Sequence, residues 1–283
     1  MKKLMLASLT VVVTMIACSK VPISNRRQLL LVSDQELNAQ ALVSYRQFLD
    51  TNRVVSSGSS QTQMVRRVGE RIARAATQYF QSVNRPDYLN GFNWEFNLVE
   101  NKQINAWCMP GGKVVVYTGI LPVTQTEAGL ATVMGHEISH AIAKHGGERM
   151  SQGMMAQGLL AAGQVGMGVA MSNNRRETQQ LWNQVYGLAA PVGAQLALLK
   201  YGRDQESEAD HLGVIFMAMA GYNPEEAITF WQRMANAAGK SQKPPQFLST
   251  HPHDTKRIND LRRLMPEAKK YYNRGGATAS TRR

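Results

Sequence analysis

His136-Glu137-Ile138-Ser139-His140 sets two imidazoles four residues apart with a carboxylate beside the first. On an α-helix, positions i and i+4 share a face, so both rings can reach one metal ion. Zn²⁺ suits two neutral imidazole nitrogens and leaves room for a third protein ligand and a water, whose pKa it brings down towards about 7. Glu137 is then placed to take that water's proton. The five residues imply metal-assisted hydrolysis, provided the segment is helical and a third ligand exists.

The residues leading into them support a helix. Thr126 to Gly135 contains no proline and carries an apolar stripe through Leu130, Val133, Met134, Ile138 and Ala141. Thr124 with Glu127 has the form of a capping box, so the spacing predicts a helix over 125–145. His145 falls near the end of that helix, where a cation suits the macrodipole, and reads as structural.

The third ligand is sought downstream. Arg203 to Gly213 holds Asp204, Glu206, Glu208, Asp210 and His211. Glu206 and Asp210 share a helical face, so Glu206 can ligate while Asp210 accepts the remaining N–H of a ligating imidazole. Glu208 points elsewhere, and His211 is a rival ligand on spacing alone. Taken without the upstream pair, the stretch also reads as the solvated start of a charged helix.

With Asn105-Ala106-Trp107-Cys108-Met109-Pro110-Gly111-Gly112 ahead of them, and Thr250-His251-Pro252 and Arg257 behind, these residues resemble the gluzincin peptidases of the HtpX, BepA and CaaX-protease type across residues 60–265. The resemblance implies that Glu206 is the third ligand of one Zn²⁺ per chain and that Asp210 stands behind the ligands. It implies that His251 lies close to the metal, ligating it in a latent state or acting catalytically on the oxyanion, with Arg257 supporting it. The activity implied is a zinc endopeptidase using Glu137 as base, acting on unfolded or misassembled envelope proteins in quality control. A chaperone or assembly adaptor with a latent zinc site is the other reading. No 34-residue helical repeat is present to add a partner-binding module.

The expected fold is α+β and mostly helical, a zincin-type active-site helix packed on a small antiparallel sheet. Gly112 to Gly119 is β-branched and opens on the turn Pro110-Gly111-Gly112, and Asn93 to Val99 reads as its antiparallel partner. At a sheet edge, Asn105, Ala106, Gly111, Gly112 and Val114 would bind an extended substrate by strand addition; the plainer reading is an ordinary structural strand. Further helices are expected from Ser33-Asp34 to about Asp50, over 61–82, and from Asn223-Pro224 to about 238, with a loop over 240–245.

The chain opens with Met1-Lys2-Lys3, an apolar run from Leu4 to Ile16, and Ala17-Cys18. That run is shorter than the roughly 20 residues that span a bilayer. Its end resembles a bacterial lipobox, with Met15 in place of the commoner leucine, which implies acylation of Cys18. An ordinary secretory signal and an uncleaved anchor are the alternatives. The expected organisation is a lipoprotein signal over 1–17, a tether over 18–32, the catalytic domain over 33–272 and a disordered tail over 273–283. The expected address is the bacterial cell envelope, anchored by lipid to the outer membrane and facing the periplasm, with the membrane surface as a partner. Cys108 is then the only remaining thiol and reads as a small buried hydrophobe.

The net charge of +12 is spread over scattered basic pairs rather than gathered into a stripe, which argues against nucleic-acid binding. Two apolar stretches, Met150 to Met171 and Gln179 to Lys200, are broken by Arg175-Arg176 and Pro191. They are expected as helices over the active site rather than spanning segments. The methionines of the first read as pliable packing, and His253 as a solvated loop residue.

Overall fold

The computed structural model describes residues 18–156, 202–239, 245–251 and 255–280. The signal at 1–17, most of the two apolar stretches, the loop at 240–244 and His253 lie outside them. Among the described residues no helix is long and apolar enough to cross a membrane.

The chain begins with a hairpin, β1 (Cys18–Lys20) and β2 (Arg27–Leu29), paired antiparallel with Cys18 opposite Leu29. The tether expected over 18–32 is therefore folded. Val21, Leu31 and Val32 are buried, and the Leu31 N–H donates to Ser151 Oγ at 2.9 Å. An apolar residue on each arm gives the segment enough burial to dock.

Helix α1 (Asp34–Thr51) starts at Ser33, whose Oγ accepts from the Glu36 N–H while Glu36 accepts from the Ser33 N–H, a full capping box. Helix α2 (Ser60–Ser82) buries Val65, Val68, Ile72, Ala76 and Phe80, one stripe at helical spacing. Both match the ranges read from the sequence.

The sheet has the order β3-β5-β4, with β3 (Glu95–Val99), β4 (Ala106–Met109) and β5 (Lys113–Tyr117). Residues 93–99 and 112–119 were expected to pair antiparallel; β3 and β5 run parallel, and β4 is the antiparallel partner of β5. The cause is the turn between β4 and β5. Gly111 and Gly112 take φ of 75° and 81°, a region open to glycine, and reverse β4 directly into β5. A Cβ on Gly112 would also sit 2.6 Å from the Trp94 ring. Since β4 takes one side of β5, β3 joins the other.

Helix α3 (Leu121–Thr124) is a single turn, and helix α4 (Glu127–Ile142) follows it. The cap of α4 is Thr126, which accepts from the Gly129 N–H at 3.0 Å, and not Thr124, whose hydroxyl donates back to the Leu121 carbonyl. At the other end Lys144 takes φ 57°, so α4 stops at Ile142 and His145 opens helix α5 (His145–Ala156). Leu130, Val133, Met134, Ile138 and Ile142 are all fully buried, as befits a helix enclosed on every side.

Helix α6 (Arg203–Met219) packs most extensively on α4. The two meet at glycines: a Cβ on Gly213 would lie 3.1 Å from the backbone of Gly135 and His136. Helices α7 (Glu226–Gly239), α8 (Gln246–Thr250) and α9 (Thr255–Ser280) close the far side. The tail expected to be disordered from Asn273 is helical as far as Ser280, a continuation of α9.

Candidate metal centre

His136 and His140 project from α4 with their Nε2 atoms 3.1 Å apart. The Gly135–Gly213 contact lets α6 approach closely enough for Glu206 to join them, its Oε2 3.5 Å from His136 Nε2 and its Oε1 3.4 Å from His140 Nε2. Ligands held tetrahedrally at about 2.0–2.1 Å from zinc stand about 3.3–3.4 Å from one another. The two imidazole nitrogens stand near that spacing and each has one oxygen of the Glu206 carboxylate close by, so the donor set fits Zn²⁺. His251 brings a fourth nitrogen: its Nδ1 is 2.9 Å from Glu206 Oε1 and 3.2 Å from His136 Nε2. Among the described residues His136, His140, Glu206 and His251 form one group of metal-competent donors, all within 4.8 Å and all buried.

The partners of these donors suit a cation. The His136 Nδ1–H donates to Asp210 Oδ1 at 2.9 Å, which leaves Nε2 with its lone pair. Burial keeps His140 well below the usual histidine range and so neutral. Burial and Arg257 oppose a proton on His136, yet hydrogen bonds with Asp210 and Glu206 raise its affinity for one, and a divalent ion would displace that proton. Burial also opposes ionisation of Glu206, but His251, Arg257 and the two other histidines hold it anionic, far below the ordinary carboxylate range.

Arg257 was expected to support His251. Its guanidinium instead donates to Glu206 Oε2 at 2.9 Å and Asp210 Oδ1 at 2.6 Å, and lies 3.5 Å above the Trp231 ring. Two buried carboxylates are the stronger call on a buried cation. Trp231 carries no polar pattern in the sequence that would have marked it.

Glu137 is buried, and its Oε1 lies 3.3 Å from His251 Nε2 with no hydrogen-bond partner among the described residues. Burial pushes its carboxyl up to about 7, against which His251, Arg257 and, least, the backbone N–H of Cys108 act. A base of that strength is matched to neutral pH.

That Cys108 N–H belongs to β4, the sheet edge facing α4. In an antiparallel pair alternate residues direct their backbone groups outward, so Ala106 and Cys108 face the site while Trp107 and Met109 face β5. Val114, expected to bind substrate, lies in the central strand with neighbours on both sides and has no edge to offer. Asn105 directs its carbonyl to the Tyr117 N–H. Gly111, with Cys108, Pro110, His140, Ala141 and Gly147, lines a small open cleft along this edge. Gly112 serves the turn.

Two residues stay apart from the centre. His211, the rival ligand, pairs with Glu267 at 2.7 Å. Glu208 points to the opposite side, to His145 and Arg26. His145 and Arg26 were not read as part of any site. The five-residue step from His140 to His145 was the signal available, and it acquires meaning only once Lys144 breaks the helix.

Paired histidines and the following glutamate on one helix, with a third ligand from a second helix, define a zinc metallopeptidase of the gluzincin kind. A model of peptidase family M48 matches residues 59–265, and the chain belongs to that family. Among curated relatives, it is 32% identical over 252 residues to the mitochondrial metalloendopeptidase OMA1 of Schizosaccharomyces pombe, an alignment covering 88% of this chain and 66% of the relative. It is 30% identical to the Saccharomyces cerevisiae protein of the same name, over 68% of this chain and 52% of the relative. It is 28% identical to the beta-barrel assembly-enhancing protease of Escherichia coli K12, over 71% of this chain and 38% of the relative. The chain thus spans two thirds or less of these relatives' lengths.

Proposed function

We propose that this protein is a zinc-dependent endopeptidase that cleaves unfolded or misassembled proteins at a membrane surface. The observation that carries the reading is the convergence of His136, His140 and Glu206, buried and with donor atoms within reach of one ion. Zinc, when bound, supplies a Lewis acid and lowers the pKa of water. The chain's own contribution is then definite. Glu137 takes a proton on its Oε1 and returns it to the leaving amine. Asp210 fixes the His136 tautomer, and Arg257 balances the charge of Asp210 and Glu206. Ala106 and Cys108 offer a strand edge along the cleft, to which an extended peptide could add.

The relatives are named as metalloendopeptidases and as a beta-barrel assembly-enhancing protease, and the latter name supports a substrate class among proteins of β-barrel assembly. The lipobox-like Ala17-Cys18 supports anchoring through an acylated Cys18 to the bacterial envelope, with the catalytic body facing the periplasm. Cys18 starts β1, so such an anchor would hold that body close to the membrane. His251 favours a second reading, in which the site rests latent: its Nδ1 stands with His136, His140 and Glu206 as a fourth potential donor, the place a catalytic zinc would leave to water.

The test is cleavage of an unfolded substrate such as casein by Glu137→Gln and His251→Ala. Glu137→Gln is expected to keep zinc and lose cleavage; retained cleavage would refute the assignment. Faster cleavage by His251→Ala indicates latency, and slower cleavage indicates a catalytic His251.

A further inference from the structure

On the side away from Glu206, His136 meets the carboxylate of Asp210 through its Nδ1, whereas among the described residues the Nδ1 of His140 meets another imidazole. Its Nδ1 lies 2.9 Å from Nδ1 of His145, a second fully buried imidazole. His145 Nε2 lies 3.0 Å from Glu208 Oε2. Glu208 accepts from Arg26 Nε at 2.8 Å, from Arg26 Nη2 at 3.0 Å and from Ser24 Oγ at 2.6 Å. Arg26 is itself fixed by a bidentate pair with Glu148, its Nη1 and Nη2 at 2.6 and 2.8 Å, and Glu148 accepts from Gln205, the neighbour of Glu206.

We infer that Arg26, on the N-terminal hairpin, is a positioning residue for the metal ligand His140, acting through Glu208 and His145. The inference rests on the zinc reading above, and the direction of each proton follows from it. A His140 that ligates through Nε2 must carry its proton on Nδ1, and this N–H donates to His145 Nδ1. His145 then carries its own proton on Nε2 and donates to Glu208. An anionic carboxylate is required at the end of the line, and Arg26 with Ser24 holds it there. Reversal at any link would turn a lone pair towards a lone pair. Each ligating imidazole is thereby oriented by a carboxylate, one directly and one through a second ring, an arrangement that fixes tautomer and ring angle. The hairpin at Ser24–Arg26 joins α5 to α6 across this line, so the segment next to Cys18 becomes part of the support of the metal.

Zinc affinity by chelator competition, and the visible spectrum of the Co²⁺-substituted protein, test the inference on the full chain. His145→Phe and Arg26→Met are expected to weaken zinc by roughly 10–100-fold and to shift the cobalt bands, the usual effect of losing a group behind a ligand. Arg26→Lys, which keeps the charge but not the fork, is expected to recover part of the loss. His211→Phe removes an imidazole–carboxylate pair of the same kind away from the metal and is expected to leave both readouts unchanged. Glu208→Gln covers the case in which His145→Phe fails to fold, with the same shift expected. Affinities within about twofold of wild type and unchanged cobalt bands in these variants would overturn the inference, since a network serving only the fold moves neither. If the wild-type protein takes up no zinc, the zinc reading itself fails and carries this inference with it.

Discussion

Arg257→Met separates the charge balance of the site from its chemistry. The guanidinium is 5% exposed and donates to two carboxylates that are 7% and 8% exposed, Glu206 at 2.9 Å and Asp210 at 2.6 Å. Methionine keeps most of the volume over Trp231 and removes the charge. Taking one partner from a buried ionic group costs about 3–5 kcal/mol, because the remaining charge stays buried. For a domain of this size each kcal/mol moves the melting temperature by about 2–4 °C, so zinc-free Arg257→Met should melt about 6–20 °C below zinc-free wild type. Zinc takes over the balance at Glu206, so the metal-induced rise in Tm should be larger in the variant than in wild type. Arg257→Lys should fall between the two. Calorimetry or circular dichroism with and without zinc checks all three. A zinc-free loss below about 3 °C would refute the claim that Arg257 holds the two carboxylates together.

Gly213→Ala places a methyl 3.1 Å from the backbone at Gly135 and His136, so α6 must move out by a few tenths of an ångström. A cost of about 1–3 kcal/mol is expected, with weaker zinc binding because Glu206 rides on α6; urea midpoints and zinc titration read both. Burial opposes ionisation of Glu208, but hydrogen bonds from His145, Arg26 and Ser24 outweigh it and draw the carboxyl down to about 2. A depressed carboxyl stabilises above its unfolded pKa, so that contribution is whole at neutral pH and fades as pH falls from about 4.5 towards about 2. The stability gap between chelator-treated wild type and Glu208→Gln should therefore shrink between about pH 6 and about pH 3, and a constant gap would contradict the pairing. Burial raises the Cys108 thiol well above its ordinary value. Ellman's reagent should react with it only on unfolding, and rapid native-state labelling would show that β4 opens.

The chemistry-bearing residues were legible because each is local. His136, Glu137 and His140 lie within two turns of one helix, and Glu206 and Asp210 within one turn of another, where helical periodicity alone decides which side chains share a face. Helices α1 and α2 were legible for the same reason, since Ser33-x-x-Glu36 and an unbroken apolar stripe act over a few residues. The sheet was not: the chain reverses once between β3 and β4 and again at Gly111-Gly112, so β5 returns to the direction of β3, and only the placing of β4 in the sheet reveals it. The folded hairpin at 18–29 escaped notice because its stability comes from contacts with α5 and α6, far along the chain.

By itself the sequence determined which side chains can hold a cation and which carboxylate can move a proton, because donor chemistry and helical spacing travel with the local chain. Only the tertiary structure decided that Glu206 reaches the two histidines, that Arg257 serves carboxylates rather than His251, and that Arg26 stands behind His140. Those outcomes depend on how closely two helices approach at Gly135 and Gly213 and on which buried charges need a partner, and both are properties of packing between distant segments.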